Sequence, residues 1–245
     1  MSCDLNNKTV LVTGANRGIG RAFVDVLLGQ GVRQIYAGVR DLVNSNELKS
    51  LSTLITVIQL DITDGPLVHK AAREIPQLDV LINNAGIANG SNFGDENSLS
   101  IADLEMQTNY GGTLQLTNKL LPTLRKSSAA AIINMSSIAG ITNFPLMGPY
   151  SASKAAVHSL TQGLRAELRS ANIFVQGVYP GPTDTRLSAG ADMPKAKPSQ
   201  VANAVINALL SNQEDVFPDD FSAAMYAIYQ RAPKELEKQF SLMVG

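Results

Sequence analysis

The sequence is poor in the residues that build metal and disulfide sites. Its 245 residues include one cysteine, Cys3, two histidines, His69 and His158, and no tryptophan. A single cysteine excludes an intrachain disulfide and a thiolate metal cluster, and it fits a reducing, cytoplasmic location. Two histidines are too few for most histidine-rich zinc sites and disfavour a Ser/His/Asp triad. The sequence therefore predicts chemistry without a bound metal.

A strong charge imbalance and long apolar runs are also missing. The formal net charge is −1, and hydrophobic residues make up 44% of the chain. Nucleic-acid-binding domains are usually basic, so we expect no nucleic-acid partner. The N-terminus lacks a basic segment followed by an apolar core, and no apolar run reaches the roughly 18 residues of a membrane span. We therefore expect neither a signal peptide nor a membrane partner.

Short apolar runs, by contrast, alternate with segments of helix length. Because the runs are apolar throughout, they indicate strands buried on both faces, as in a parallel sheet covered by helices. The alternation predicts a single α/β domain over residues 1–245, with a doubly wound, Rossmann-type parallel sheet. The C-terminal tail reads as a short strand and then an amphipathic helix broken near Pro233. The predicted strands are 9–13, 34–38, 56–60, 80–83, 130–135 and 174–179, and the predicted helices are 19–28, 67–75, 101–125, 151–170 and 199–210.

A glycine-rich turn follows the first predicted strand. In "TGANRGIGRAF" the glycines Gly14, Gly18 and Gly20 have the spacing G-x-x-x-G-x-G, which differs from the G-x-G-x-x-G fingerprint. The physical reasoning is the same, since glycines let the backbone approach a pyrophosphate. The helix that begins near Gly18 offers unpaired N–H groups to such an anion. The turn therefore predicts a dinucleotide site.

Tyr150 and Lys154 stand four positions apart at the start of a predicted helix, so they share one helical face. An acid/base catalyst works best with a pKa near the operating pH, and a free phenol titrates near 10. At an effective dielectric of 20, charges about 4 Å apart interact by roughly 4 kcal/mol. Lowering a phenol pKa from about 10 to about 7.5 requires about 3.4 kcal/mol. A nearby ammonium is thus expected to make Tyr150 an acid/base catalyst.

Four motifs in order resemble the short-chain dehydrogenase/reductase superfamily over nearly the whole chain. They are "TGANRGIG", "NNAG" at 83–86, the Tyr150/Lys154 pair and "PGPTDT" at 180–185. The resemblance implies an NADP-dependent enzyme similar to carbonyl reductases and alcohol dehydrogenases. It places cofactor contacts at Gly14, Asn16, Arg17, Gly18, Ile19, Gly20, Arg40, Asp61, Ile62, Asn84, Ala85, Gly86, Tyr150, Lys154, Pro180, Gly181, Thr183 and Thr185.

Two arginines favour NADP over NAD. Arg17 lies in the glycine loop, and Arg40 ends the second predicted strand, where NAD-binding proteins tend to hold an acid. A guanidinium can grip a 2′-phosphate with paired N–H donors. Asp41 argues against this interpretation, because a slight change of register would exchange its position with that of Arg40.

The resemblance also implies a catalytic set of Asn109, Ser137, Tyr150 and Lys154. The family's serine precedes its tyrosine by about thirteen residues, which selects Ser137 and leaves Ser136 as the alternative. Asn109 is followed by Gly111 and Gly112, each of which costs about 1 kcal/mol in a helix interior. Such glycines indicate close packing or a distortion of the helix. The resemblance implies that Asn109 lies at such a distortion and supports a water chain to the lysine.

The substrate is expected to be a small neutral, apolar ketone or aldehyde, or the corresponding alcohol. The pocket is expected between the stretch after Ser137 and a mobile loop at 184–198, which offer Phe144, Leu146, Met147, Leu187 and Met193. The resemblance also implies a homodimer or homotetramer. A non-catalytic NADP-sensing or scaffold protein on the same fold is the main alternative. A nucleotide-sugar epimerase is disfavoured by the short tail.

Overall fold

Seven parallel strands form the centre of the protein. The computed structural model describes residues 4–190 and 192–244, without the side chains of residues 44 and 244, so Cys3 and one position of the predicted loop at 184–198 lie outside the described residues. The sheet has the order β3-β2-β1-β4-β5-β6-β7. The strands are β1 Thr9–Thr13, β2 Gln34–Val39, β3 Ile55–Gln59, β4 Val80–Asn83, β5 Ala130–Met135, β6 Ile173–Val178 and β7 Asp215–Val216.

Helices connect the strands and cover both faces of the sheet. They are α1 Gly18–Leu28, α2 Asn46–Leu51, α3 Gly65–Glu74, α4 Ser98–Glu105, α5 Thr113–Leu124, α6 Gly148–Leu168, α7 Pro198–Leu210, α8 Asp220–Arg231 and α9 Pro233–Ser241, with a π-helical segment at Met106–Gly112. Start signals in the sequence explain several of these bounds. The Asp64 carboxylate accepts the Leu67 N–H at 2.8 Å and caps α3, while Pro233 opens α9.

Two apolar cores lie on opposite faces of the sheet. On one face, Phe23 of α1 and Leu209 of α7 pack against strand residues such as Val12. On the other face, Leu120 of α5 and Leu164 of α6 pack with residues from α3. Because helices bury both faces, most strand side chains are apolar. The chain forms a single Rossmann-type domain, as its sequence predicts.

The predicted strands are confirmed to within one residue at each end, and the tail contains the predicted short strand as β7. The predicted helix at 101–125 instead consists of α4, the π-helical segment and α5. Gly112 lets this segment pack closely on the loop after β3, because a Cβ there would lie 2.7 Å from Ile62 Cγ1 and 3.1 Å from the Ile62 carbonyl oxygen. The short helix α2 is absent from the prediction. Within the described residues, no helix combines the length and apolarity needed to cross a bilayer.

Candidate active site

The carboxyl ends of β1, β4, β5 and β6 meet at one edge of the sheet, where the motif-bearing loops begin. The Thr13 hydroxyl accepts the backbone N–H groups of Asn84 and Ala85, each at 2.9 Å. The Asn84 side chain returns a hydrogen bond to the Thr13 carbonyl oxygen at 2.8 Å. The glycine loop and the "NNAG" turn are therefore held together at the point where the strand order reverses, which is where ligands bind in such sheets.

The glycine loop packs tightly on itself. A Cβ at Gly20 would lie 2.1 Å from the Gly14 carbonyl oxygen, so only glycine fits there. Arg17 is the N-cap residue of α1, and no side-chain hydrogen bond caps this helix among the described residues. The free N–H groups of its first turn are therefore available to an anion. This cradle fits the pyrophosphate of a dinucleotide.

Three arginines surround the outer side of this cradle. Burial, together with repulsion from Arg186 and Arg40, lowers the pKa of Arg17. In the described part of the chain none of the three forms a salt bridge. A Cβ at Gly18 would lie 3.1 Å from Thr185 Cγ2, so the "PGPTDT" loop touches the glycine loop and brings Arg186 close. Such an unpaired cationic cluster fits a 2′-phosphate.

Asp41, which would favour NAD, is engaged in its own turn. Its carboxylate accepts the Val43 N–H at 2.9 Å. A carboxylate that caps a local turn in this way is less free to bind a ribose hydroxyl. The surroundings of Arg40 therefore favour a phosphate over a 2′-hydroxyl.

Lys154 is buried beside Tyr150, on the first turns of α6. The lysine is 6% exposed, and its Nζ donates a hydrogen bond to the Met135 carbonyl oxygen at 2.8 Å. Nζ lies 5.7 Å from the centroid of the Tyr150 ring. A Cβ at Gly86 would be 3.4 Å from Nζ, so the "NNAG" turn lies directly against the ammonium. The pair thus faces the same sheet edge as the glycine loop.

Burial dominates the titration of this pair. It raises the pKa of Tyr150 to about 12. The Ser137 hydroxyl lowers this pKa, and the nearby Glu105 carboxylate raises it. Burial also lowers the pKa of Lys154 to about 8, against a raising by Glu105. The expected depression of the phenol pKa by the lysine is therefore not found: burial raises the Tyr150 pKa, and only the Ser137 hydroxyl lowers it. Lys154 is the member of the pair that titrates nearest to neutral pH.

Asn109 sits inside the π-helical segment and ties three parts of the site together. Its Oδ1 accepts the Ile87 N–H at 2.8 Å, and its Nδ2 donates to the Ile87 carbonyl oxygen at 3.0 Å and to Ser153 Oγ at 2.9 Å. The Ser153 hydroxyl donates in turn to the Tyr150 carbonyl oxygen at 2.7 Å. Asn109 therefore fixes the "NNAG" loop against α6, close to Lys154.

The two serines after β5 have different surroundings. Ser136 Oγ donates to the Lys154 carbonyl oxygen at 2.8 Å, so it fastens the strand end to α6. Ser137 Oγ donates to the Pro180 carbonyl oxygen at 3.3 Å and accepts the Ala139 N–H at 3.2 Å. Ser137 is also the serine whose hydroxyl lowers the pKa of Tyr150, against the larger effect of burial. The geometry therefore favours Ser137 over Ser136 as the serine of the site.

The loops after β3 and β6 complete the edge. Asp61 accepts hydrogen bonds from the N–H and the hydroxyl of Thr63, at 2.9 and 2.7 Å, and Ile62 is buried against Gly112. Gly181 donates its N–H to the Asp219 carboxylate at 2.8 Å, and the buried Thr183 hydroxyl donates to the Gly181 carbonyl oxygen at 3.2 Å. Both loops thus have fixed backbones beside the cradle. The remaining predicted positions, Asn16 and Ile19, lie on the glycine loop and the first turn of α1.

Three residues near the site were missed by sequence reasoning. Arg186 lies in the loop at 184–198, and only the approach of that loop to the glycine loop reveals its position. Phe93 is 60% exposed, yet its ring would contact a Cβ at Gly148 within 2.7 Å, beside the start of α6. Glu105 is 1% exposed and acts electrostatically on Tyr150 and Lys154. Its local sequence, "SLSIADLE", does not distinguish it from an ordinary solvent-facing helix residue.

The histidines lie away from these groups. His158 Nδ1 and the Tyr179 hydroxyl are 2.7 Å apart, in a network that includes Asp215 at 3.2 Å from the same hydroxyl. His69 is on α3. Neither contacts the Tyr150 and Lys154 pair through a hydrogen bond among the described residues.

A family model and a curated relative both match most of this chain. A family model described as short chain dehydrogenase matches residues 8–195. An uncharacterized oxidoreductase of Staphylococcus saprophyticus is 34% identical over 217 residues, which cover 84% of this chain and 92% of the relative.

Solved structures agree over most of the chain. A short chain dehydrogenase from Burkholderia cenocepacia in complex with NADP superimposes with a TM-score of 0.91 at 31% identity, covering 97% of this chain and 98% of that one. An NADPH-bound carbonyl reductase from chicken fatty liver gives a TM-score of 0.77 at 30% identity, over 84% of this chain and 92% of the other.

Proposed function

Because this chain belongs to the short-chain dehydrogenase family, we propose that it is an NADPH-dependent oxidoreductase that reduces a ketone or aldehyde to an alcohol, reversibly. The observation that carries the proposal is the meeting of Tyr150, Lys154, Ser137 and Asn109 beside Gly86 at the ligand-binding edge of the sheet. As a carbonyl oxygen gains negative charge, it needs a proton donor, a nearby positive charge and a hydrogen-bond donor. The Tyr150 phenol, the Lys154 ammonium and the Ser137 hydroxyl can supply these.

The cofactor of this chain is NADP(H). The uncapped start of α1 and the glycine loop would hold its pyrophosphate, and Arg17, Arg40 and Arg186 would hold its 2′-phosphate. The similar structures that contain NADP or NADPH support this assignment. The other cofactor contacts that we propose follow the sheet edge: Asp61 and Ile62 at the adenine, the Asn84–Gly86 turn at the ribose, and Pro180, Gly181, Thr183 and Thr185 at the nicotinamide.

The protein's own groups handle the proton and the developing charge. When bound, NADPH supplies the hydride that the carbonyl carbon accepts. Tyr150 donates its phenolic proton to the carbonyl oxygen, and with a pKa of about 12 the phenol stays protonated at neutral pH. The ammonium of Lys154 stabilises the phenolate that remains, since the two groups share a buried site. Ser137 donates a hydrogen bond to the same oxygen and orients it.

Apolar side chains on the loops before α6 and after β6 support an apolar, uncharged substrate. Phe93, Leu146 and Leu187 expose large apolar surfaces, and Phe144 packs edge-on against Phe240 with ring centroids 5.4 Å apart. We propose that these residues and the loop at 184–198 form the substrate pocket, and that the loop moves on binding. We also propose a cytoplasmic homodimer or homotetramer.

The test of the function is cofactor oxidation with a panel of ketones and aldehydes, with NADPH and NADH supplied separately. Tyr150→Phe is expected to lose at least about a hundredfold in turnover, because it removes the general acid, and to bind NADPH normally. Tyr36→Phe, which removes a phenol from the middle of β2, serves as the matched control. Tight NADPH binding without oxidation by any carbonyl would refute the reductase and favour a cofactor sensor.

The cofactor assignment has a separate test. Arg40→Ala is expected to weaken NADPH binding about tenfold or more, since a charge-assisted contact is worth about 1.5–3 kcal/mol, and to leave NADH binding nearly unchanged. Arg125→Ala removes an exposed guanidinium at the end of α5 and is the control. Equal loss for both cofactors would contradict a 2′-phosphate contact.

A further inference from the structure

Glu105, the last residue of α4, is a buried carboxylate whose negative charge is not required by the packing around it. It is 1% exposed. Its Oε1 accepts the Asn89 N–H at 2.6 Å, while Oε2 is buried and has no hydrogen-bond partner among the described residues. A buried charge that leaves an oxygen unpaired is costly, and an amide would make the same bond to Asn89 at lower cost. The carboxylate therefore calls for a second role.

The position of Glu105 places it within the active-site framework. It lies one helical turn before Asn109, and these two side chains hold the same segment, at Asn89 and Ile87 respectively. That segment begins at Gly86, where a Cβ would lie 3.0 Å from Asn109 Oδ1 and 3.4 Å from Lys154 Nζ. Glu105 is thus anchored to the loop that lies directly against the lysine.

The charged and titratable groups that act on Glu105 come from one element. Burial raises the pKa of Glu105, while Lys154 lowers it by attracting the carboxylate. The carboxylate in turn raises the pKa of Tyr150, and both Lys154 and Tyr150 belong to α6. The loop after β4 contributes the Asn89 N–H, which carries no charge. Among the described residues, Lys154 is therefore the one cation near this buried acid.

We propose that Glu105 is a positioning residue whose negative charge keeps Lys154 in the ammonium form inside a site from which water is excluded. This role rests on the proposed reductase function. Burial favours the neutral amine, and a nearby carboxylate opposes that tendency by attracting the proton-bearing form. Without Glu105 the lysine would lose its proton at a lower pH and could no longer stabilise the Tyr150 phenolate.

The direction in which the loss of the Glu105 charge shifts the pH dependence of activity follows from the pKa values of Tyr150 and Lys154. Tyr150 stays protonated well above neutral pH, so the fall in reductase activity with rising pH follows the loss of the Lys154 proton, near pH 8. An opposite charge within about 4–6 Å shifts a pKa by about one to three units. No salt bridge joins Glu105 and Lys154 among the described residues, so the lower end of this range applies. Removal of the Glu105 charge is therefore expected to move the alkaline fall of kcat/KM to lower pH by about one unit or more.

Glu105→Gln is the variant of choice, because its amide oxygen can still accept the Asn89 N–H while the charge is lost. Asp103→Asn is the matched control, since it removes one carboxylate from the exposed face of the same helix. Glu105→Asp restores the charge and is expected to recover part of the shift. NADPH affinity and thermal unfolding are measured for all three, and the Gln variant is expected to change neither substantially.

The decisive readout does not require turnover. In protein with isotope-labelled lysine side chains, the Lys154 resonance is identified by its loss in Lys154→Met, and its NMR titration is followed. The midpoint is expected near pH 8 in the wild-type protein, about one unit or more lower in Glu105→Gln, and unchanged within a few tenths in Asp103→Asn, because an exposed charge is screened. An unchanged midpoint in Glu105→Gln overturns the proposal, whether or not the protein reduces carbonyls.

A reciprocal measurement covers the case in which Glu105→Gln does not fold. In Lys154→Met the labelled Glu105 carboxyl is expected to titrate at a higher pH than in the wild-type protein, because its attracting cation is gone. An unchanged Glu105 titration overturns the proposal as well. Failure of the reductase assay with a shifted Lys154 midpoint would reject the proposed reaction and leave the charge coupling established.

Discussion

Replacement of Asn109 by alanine is expected to destabilise the fold measurably. The side chain is 1% exposed and makes three hydrogen bonds, two to the Ile87 backbone and one to Ser153. At about 1 kcal/mol for each lost bond, Asn109→Ala should cost about 3 kcal/mol. For a domain of this size, that corresponds to a fall in Tm of about 6–12 °C. Thermal unfolding followed by circular dichroism, and denaturant unfolding at constant m, provide the measurement.

The control for Asn109 lies on the neighbouring helix. Asn118 is exposed on α5, and Asn118→Ala should change the free energy of unfolding by less than about 0.5 kcal/mol. Asn109→Ala should also reduce kcat, because the loop against Lys154 loses its anchor. A loss below about 1 kcal/mol, or one equal to that of the control, would refute the view that Asn109 fastens the site.

Three further outcomes follow from close contacts and burial. Gly20→Ala should abolish tight NADPH binding, measured by fluorescence titration, since its Cβ would meet the Gly14 oxygen at 2.1 Å; an unchanged Kd would contradict the cradle. Gly112→Ala should cost about 1–3 kcal/mol in denaturant unfolding through overpacking against Ile62, and no loss would show that the contact relaxes freely. Burial lowers the pKa of His158, so the unfolded chain binds the proton more readily. Wild-type Tm should therefore fall as pH drops below about 6.5, and less steeply in His158→Asn; equal slopes would contradict this.

The strands could be predicted because their runs are apolar and end at turn-forming residues. β1, β4 and β5 were predicted at their observed bounds, since each is buried on both faces and is followed by a polar or glycine-containing motif. The helix α2, "NELKSL", was not predicted, because it is short and buries only Leu48. Local sequence gives little information where a helix has almost no apolar face.

The site could be predicted only where a motif carried it. Tyr150, Lys154 and Asn109 belong to recognisable spacings, whereas Arg186 and Glu105 depend on which loops and helices become neighbours. The pKa shifts of Lys154 and Tyr150 could not be predicted from the sequence either. Helical spacing predicts that the two side chains are close, but it does not predict how far each is buried from water. Burial decides the direction of both pKa shifts.

The order of the sheet has a consequence for synthesis of the chain. β1 lies between β2 and β4, and its residue Val10 pairs with Val80, seventy positions later. During translation β3, β2 and β1 can assemble first, leaving one side of β1 with unpaired N–H and C=O groups until β4 has left the ribosome. An apolar strand with an open side readily pairs with other chains. The interval between emergence of β1 and of β4 is thus one in which the nascent protein is prone to aggregate and gains from a chaperone.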